Sequence, residues 1–160
     1  MRLREVNEQQ LDEIARLAKS IWLTHYVPII GAKQVQYMLQ KFYATDKLKE
    51  QIKQGQTFFF IGNEDSVIGF VAISQKTEKE LFINKFYLLT TSQNKGFGTN
   101  VMKLIKSKYS TFDTITLTVN RQNFTAINFY FKNGFIIADI ADFDIGEGYF
   151  MNDFIMRCSK

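Results

Sequence analysis

The chain has 160 residues, of which 46% are hydrophobic and 22% charged, with one Pro and nine Gly, the composition of an ordinary globular domain. Cys158 and His25 are the only residues of their kinds, which excludes an intramolecular disulfide and a zinc site built on cysteine or histidine clusters. The net charge of +4 is mild for a nucleic-acid binder, and no run of about 18 apolar residues occurs, so the expectation is a cytoplasmic single domain over 1–160 with neither a nucleic-acid nor a membrane partner.

Arg2 to Val6 reads as a short strand, after which Asn7 and Gln10 have the spacing of a capping box and open a helix. Leu11, Ile14, Ala15, Ala18, Ile21 and Trp22 recur at helical spacing until Pro28 and Gly31 interrupt them. A second helical stretch carries Val35, Met38, Leu39 and Phe42, continues past a new cap at Thr45 through Leu48 and Ile52, and stops at Gly55. Three strands follow, Thr57 to Ile61, Val67 to Ser74 and Leu81 to Leu89, with the texture of an antiparallel meander.

Gly96 and Gly98 precede a helix with Val101, Met102, Leu104 and Ile105, and the β-branched run Thr114 to Val119 predicts a buried strand. Strand, glycine turn, helix and strand make one right-handed crossover. A helix from Asn123 to Asn133 is stopped by Gly134, and two strands near Phe135 to Phe143 and Tyr149 to Arg157 complete the order. The pattern predicts an α/β, α+β-layered domain: a mixed, mostly antiparallel sheet of about seven strands with four helices on its faces.

Charge is unevenly spread. Between Asn133 and Met156 there are five acids, Asp139, Asp142, Asp144, Glu147 and Asp153, and no Lys or Arg, so this stretch carries −5 and the remainder +9. Two ligands of opposite charge are conceivable, and the acidic stretch would attract a polycation unless it is only a solvated hairpin.

The turn Gln93-Asn94-Lys95-Gly96-Phe97-Gly98-Thr99 lies between a strand and a helix, where glycines let backbone approach a ligand and free helix N–H groups favour an anion. Lys95, Lys103 and Lys106 would add positive potential. The dinucleotide fingerprint and the Walker loop are both absent, since their glycine spacings are not met. On the following helix, 100° steps predict a core-facing stripe of Phe124, Ile127 and Phe131, with Asn123, Ala126 and Tyr130 stacked along its edge.

Gln-x-x-Gly-x-Gly at 93–98 resembles the pyrophosphate loop of the GNAT superfamily of N-acetyltransferases, and the segment from Leu117 to Phe135 resembles the second motif of the same superfamily. That segment has Val119-Asn120, Asn123, Ala126, the Phe129-Tyr130 pair, Lys132 and Gly134-Phe135 in order. The resemblance covers nearly the whole chain, including Trp22, Tyr26 and Pro28 in the bend and Gly148-Tyr149 with Asp153 and Met156 near the end, and more narrowly the early helix pair and the Gln-led loop are similar to those of bacterial spermidine and spermine N-acetyltransferases.

The resemblance implies acetyl-CoA as co-substrate and no metal. It implies a pyrophosphate site on the backbone of Gln93, Asn94, Lys95, Gly96, Phe97, Gly98 and Thr99, and pantetheine beside Phe86 and Leu88, with the Leu88 N–H polarising the thioester carbonyl. It further implies Asn123 holding the pantetheine arm or Tyr130, Lys132 facing the nucleotide phosphates, and Tyr130 as general acid. His25 is assigned the base, with Glu80, or a water relay through Tyr26 or Asp153, as rivals. Tyr26, Glu80 and Asp153 are the acceptor-side residues, and the leading acceptor is a small polyamine. A protein amino terminus, an antibiotic amine and a non-catalytic CoA-binding module stay open, as does a homodimer.

Overall fold

The computed structural model describes residues 1–63, 65–93 and 95–159. Seven strands form one sheet: β1 (Arg2–Glu5), β2 (Thr57–Gly62), β3 (Val67–Gln75), β4 (Glu80–Leu88), β5 (Thr114–Asn120), β6 (Ile136–Gly146) and β7 (Tyr149–Ser159), in the order β1-β2-β3-β4-β5-β7-β6. All neighbours are antiparallel except β4 and β5. That parallel pair is joined by the crossover helix α5 (Phe97–Lys108), as a parallel connection requires.

The apolar run at Phe58 to Ile61 shows why helices cover both faces. Successive side chains point to opposite sides. Phe58 and Phe60 pack with Leu11, Ile14 and Trp22 of α1 (Leu11–His25) and Val35 and Met38 of α3 (Ala32–Tyr43). Phe59 and Ile61 pack with Val101, Met102 and Ile105 of α5 and Ile127 and Tyr130 of α6 (Phe124–Lys132). Between α1 and α3 lies the one-turn α2 (Val27–Ile30), carrying Pro28 and ended at Gly31, and after α3 comes α4 (Thr45–Lys53).

Among the described residues six α-helical segments, one of them a single turn, therefore stand where four helices were expected. The long second helix is broken at Ala44, whose backbone is extended (φ −62°, ψ 144°) and caps α4, so Thr45 is the first residue of that helix and not its cap. The Thr45 hydroxyl donates instead to Asp12 Oδ1 of α1 at 2.5 Å, tying the two helices. The capping arrangement at the start of the chain is present, with the Asn7 N–H donating to Gln10 Oε1 at 3.2 Å, and it opens a short 3₁₀ turn that runs into α1.

The stripe expected on α6 is also corrected. Phe124 and Phe131 are 69% and 46% exposed, while Ile127, Tyr130 and the capping Asn123 are buried. The sheet contacts the helix along Ile127 and Tyr130, and Tyr130 packs on Phe135 with ring centroids 5.5 Å apart. Burial of the larger aromatics would have required the helix to roll away from β4, where Phe129 stacks on Phe86 at 5.6 Å.

The feature that positions the site is a defect in the sheet. Ala72 pairs with Lys85 and Ile73 with Ile83, so Asn84 is an extra residue that bulges β4. Bulges bend a strand and end regular pairing. The β4–β5 ladder runs only from Glu80–Thr114 to Ile83–Leu117, and beyond it the two strands separate.

Gly69 lies opposite Leu88 on the bent half of β4. A Cβ there would fall 2.1 Å from the Tyr87 carbonyl oxygen, which is backbone and cannot swing aside. Gly69→Ala should therefore lower stability by roughly 2–3 kcal/mol, read as a fall in the urea midpoint at unchanged slope.

Candidate active site

The gap between the second half of β4 and Thr118–Asn120 of β5 opens into a cleft of about 1240 Å³. It reaches from α3 and α4 on one face of the sheet to the start of α5 and to α6 on the other. On the side toward β5, the backbone of Asn84–Leu88 has no partner strand. Its peptide groups are therefore available to a ligand lying in the gap.

One end of the cleft is a helix N-terminus. Gly96 caps α5 with φ +75°, a left-handed conformation that favours glycine, and a Cβ there would meet no neighbour within 4 Å. The helix begins at Phe97, two residues earlier than expected, so Gly98 sits inside the first turn. A Cβ on Gly98 would lie 2.9 Å from the Phe129 ring, so this glycine sets how closely α5 approaches α6. The Gln93 side chain donates to the Leu88 carbonyl at 3.1 Å and ties the turn to the end of β4.

Gln93, Gly96, Gly98, Thr99, Phe86, Leu88 and Lys132 all line the cleft, whereas Lys95 and Phe97 do not, and Asn94 lies outside the described residues. Lys106 is directed elsewhere, donating to the Asn133 carbonyl at 2.8 Å and lying 3.2 Å from Cys158 Sγ. Backbone N–H groups and Lys132 at this end fit a polyanion such as a pyrophosphate.

Where the strands separate, side chains from the two helical layers meet. Tyr26, at the end of α1, receives a hydrogen bond from Asn123 Nδ2 at 3.3 Å, while Asn123 Oδ1 accepts from the Ala126 N–H and caps α6. Asn123 thus holds Tyr26 and the helix start, not Tyr130. Trp22 stacks on Tyr26 at 4.5 Å, and the Tyr43 hydroxyl donates to that of Tyr87 at 3.2 Å. His25 lines the cleft with its ring edge-on to Tyr26, centroids 4.8 Å apart.

Burial sets the ionisation of this cluster, because removing a phenol or carboxyl from water disfavours its charged form. It pushes Tyr26 up to about 12 and holds Tyr130, Tyr43 and Tyr87 well above the ordinary phenol value. Asp153, buried on β7 opposite Asn120, is pushed up to about 6 by desolvation, against the lowering effects of Thr118 and Arg121. The crossing point therefore offers phenols that keep their protons and a carboxylate basic enough to take one near neutral pH.

One acceptor-side expectation is corrected, and of the two readings of the acidic stretch the hairpin is the one observed. Glu80 sits at the far end of β4, accepts from the Thr116 hydroxyl at 2.6 Å and is not among the lining residues. The acidic stretch turns away too. Asp142 pairs with Arg121, Asp139 and Asp144 accept from the N–H groups of Ile140 and Gly146, and of the five acids only Asp153 lines the cleft. The β6–β7 hairpin instead docks on α3, where Gln34 donates to the Phe150 carbonyl at 2.8 Å and Tyr37 to that of Ile145, and it contributes Phe143, Phe150 and Met151 to the wall.

Sequence reasoning missed Lys85 and its partners. Lys85 follows the bulge, is buried, and donates to Gln51 Oε1 at 2.6 Å and Gln56 Oε1 at 3.1 Å. Burial alone pulls its ammonium down to about 7. A lysine inside the apolar run Leu81 to Leu88 was the available signal. Among the described residues no cluster of three or more His, Cys, Asp or Glu could hold a metal, and no helix is long and apolar enough to cross a membrane.

Comparison with known proteins matches residues 26–141 to the acetyltransferase (GNAT) domain family. The chain is 25% identical over 158 residues to a spermidine N(1)-acetyltransferase of Thermoplasma acidophilum, covering 92% of this chain and 96% of that one. Its fold is similar to that of the PaiA N-acetyltransferase from Thermoplasma acidophilum in complex with coenzyme A, with a TM-score of 0.78 at 22% identity over 99% of this chain and 98% of the other. It is also similar to a GCN5-related N-acetyltransferase from Rhodopseudomonas palustris, with a TM-score of 0.80 at 14% identity over 99% and 95% of the two chains.

The buried lysine makes a stability prediction with a definite sign. Its ammonium titrates at about 7 in the fold and at the ordinary 10.5 in the unfolded chain, so between these values the unfolded state binds more protons and stability climbs with pH. Below pH 7 the fold carries the full cost of the desolvated charge. Lys85→Met should be more stable than the parent below pH 7, and chemical denaturation at stepped pH should show that advantage shrinking as pH rises toward 10.

Proposed function

The chain belongs to the acetyltransferase (GNAT) family, and from that premise we propose that it transfers the acetyl group of acetyl-CoA to the primary amine of a small molecule by direct attack. The observation that carries this reading is the break between β4 and β5, with a glycine-capped helix start at one end and the buried Tyr130 and Asp153 among the residues that line it. Acetyl-CoA supplies the acetyl group as an activated thioester. Gln93, Gly96, Gly98, Thr99 and Lys132 would hold its phosphates, and Phe86 and Leu88 its pantetheine arm.

Three tasks then fall to the chain. The Leu88 N–H, on the half of β4 that faces no strand, donates to the acetyl oxygen as negative charge develops there. Tyr130, protonated at any working pH because burial raises its phenol, donates to the departing sulfur. Asp153 accepts the proton that the incoming ammonium must lose. Its burial and raised affinity for protons support it over His25, which sits beside Tyr26 as the second candidate.

A polyamine is the acceptor class supported by the Thermoplasma relative named for spermidine. A second class, amines that also carry an anionic group, is favoured by the buried ammonium of Lys85.

The first measurement is acetyl-CoA-dependent thiol release across polyamines, amino acids, aminoglycosides and short peptides. Tyr130→Phe should lower kcat by about 10²-fold or more and leave KM for acetyl-CoA within about twofold. Release with peptides alone would redirect the reading to amino-terminal acetylation, and tight CoA binding without release from any amine would make the chain a non-catalytic module.

The base assignment has its own test. Because Asp153 must be ionised to accept a proton, kcat/KM should rise with pH through about 6, and Asp153→Asn should abolish that limb while His25→Gln keeps it. The converse pattern would assign the base to His25.

A further inference from the structure

The proposed transfer leaves Lys85, a buried ionisable side chain of the cleft, without a task. Lys85 is 8% exposed, and its Nζ lies 5.6 and 5.4 Å from the ring centroids of Tyr43 and Phe58. An ammonium has three N–H donors, and the carboxamide oxygens of Gln51 and Gln56 take two of them. Both partners are neutral. Among the described residues no carboxylate pairs with Lys85, and a buried charge without a counter-ion is costly to the fold.

The acids that do line the cleft are committed or distant in role. Glu50 pairs with Lys47 at 3.1 Å, and Asp153 lies on β7 under the influence of Arg121, where it raises the proton affinity of Tyr26. The cleft is thus electrically polar across its width, negative at Asp153 and positive at Lys85, and Lys41, Lys47 and Lys76 add cations to its lining. A polyamine would bring a second ammonium toward Lys85. An amine that also bears a carboxylate would bring the missing counter-ion and the acceptor for the third N–H.

We propose that Lys85, held by Gln51 and Gln56, binds the carboxylate of the acceptor, so that the acceptor is an amino acid or related amine whose ammonium end lies toward Asp153. One ammonium balances one unit of charge, which suits a carboxylate better than a phosphate with its several acceptor oxygens. The inference rests on the acetyl-transfer reading and narrows its acceptor. Along β4 the step from Lys85 to Leu88 is roughly 10 Å, which calls for an amine set several bonds from the carboxylate.

The test uses matched acceptors: ω-amino acids of four to six carbons against diamines of the same lengths, with the parent protein, Lys85→Met and Lys85→Gln. In the parent, kcat/KM for thiol release should be at least tenfold higher for the amino acids than for the equal-length diamines, and the ratio should fall at least tenfold in either variant. Titration calorimetry of the protein saturated with CoA gives a readout that needs no transfer, and the amino acids should bind at least tenfold more weakly to the variants. Thermal melts identify a variant that has lost its fold, and the other then decides.

Equal amino-acid binding by parent and variants overturns the proposal, as does a diamine preference in the parent or an absence of amino-acid binding. Lys85-dependent binding without thiol release would instead remove the acetyl-transfer reading and leave the carboxylate site standing.

Discussion

Everything at the candidate site depends on one interruption of backbone pairing. A parallel pair in the middle of a sheet is ordinarily closed along its length, with both faces buried. Here the extra residue Asn84 bends β4 away from β5 after only four paired positions. The opening lets side chains from opposite layers touch through the sheet, as Tyr26 of the α1 layer and Asn123 of the α6 layer do. It also leaves backbone groups unpaired in a partly buried place, the arrangement a ligand with its own amides can complete.

The cost of holding that gap open is spread over contacts on both faces. Phe86 and Phe129 stack where β4 leaves the ladder, and Gly98 allows α5 to close on the same ring. On the other face, Trp22, Tyr26, Tyr43 and Tyr87 pack as a set of neighbouring rings with centroids 4.5 to 6.4 Å apart. Aromatic rings bury much area with few rotatable bonds. Such a wall keeps its shape without strand pairing.

Local rules made most of the fold legible in the sequence. The strand-helix order, the crossover around the glycine turn and the stop at Gly134 follow from periodicity and turn chemistry that act over a few residues. The break at Ala44 was legible only as a candidate cap one residue on, at Thr45, because nothing in Phe42 to Asp46 disrupts helical spacing and the Thr45–Asp12 contact that accompanies the break spans two helices. The same reason explains Phe124 and Phe131. Periodicity identified an apolar face, but only the packing of α6 on the bent strand decides which aromatics that face includes.

At the site, what could be read was what resembles a motif: the glycine turn, Asn123, Tyr130 and Lys132 line the cleft. Charge along the chain left two readings open where it was most suggestive. The five-acid stretch is conspicuous in the sequence, yet Asp142 pairs with Arg121, Asp139 and Asp144 accept from local N–H groups, and only Asp153 enters the cleft. Exposed charges are screened by water and weigh little on a bound ligand, whereas a single buried charge acts in a medium where it cannot be ignored. Among the charges that line this cleft, the two buried ones, Asp153 and Lys85, therefore weigh most, and they contribute nothing to the net charge when counted together. Their placement on β7 and β4, on opposite sides of the gap, makes the field across it a consequence of the same bulge that opened it.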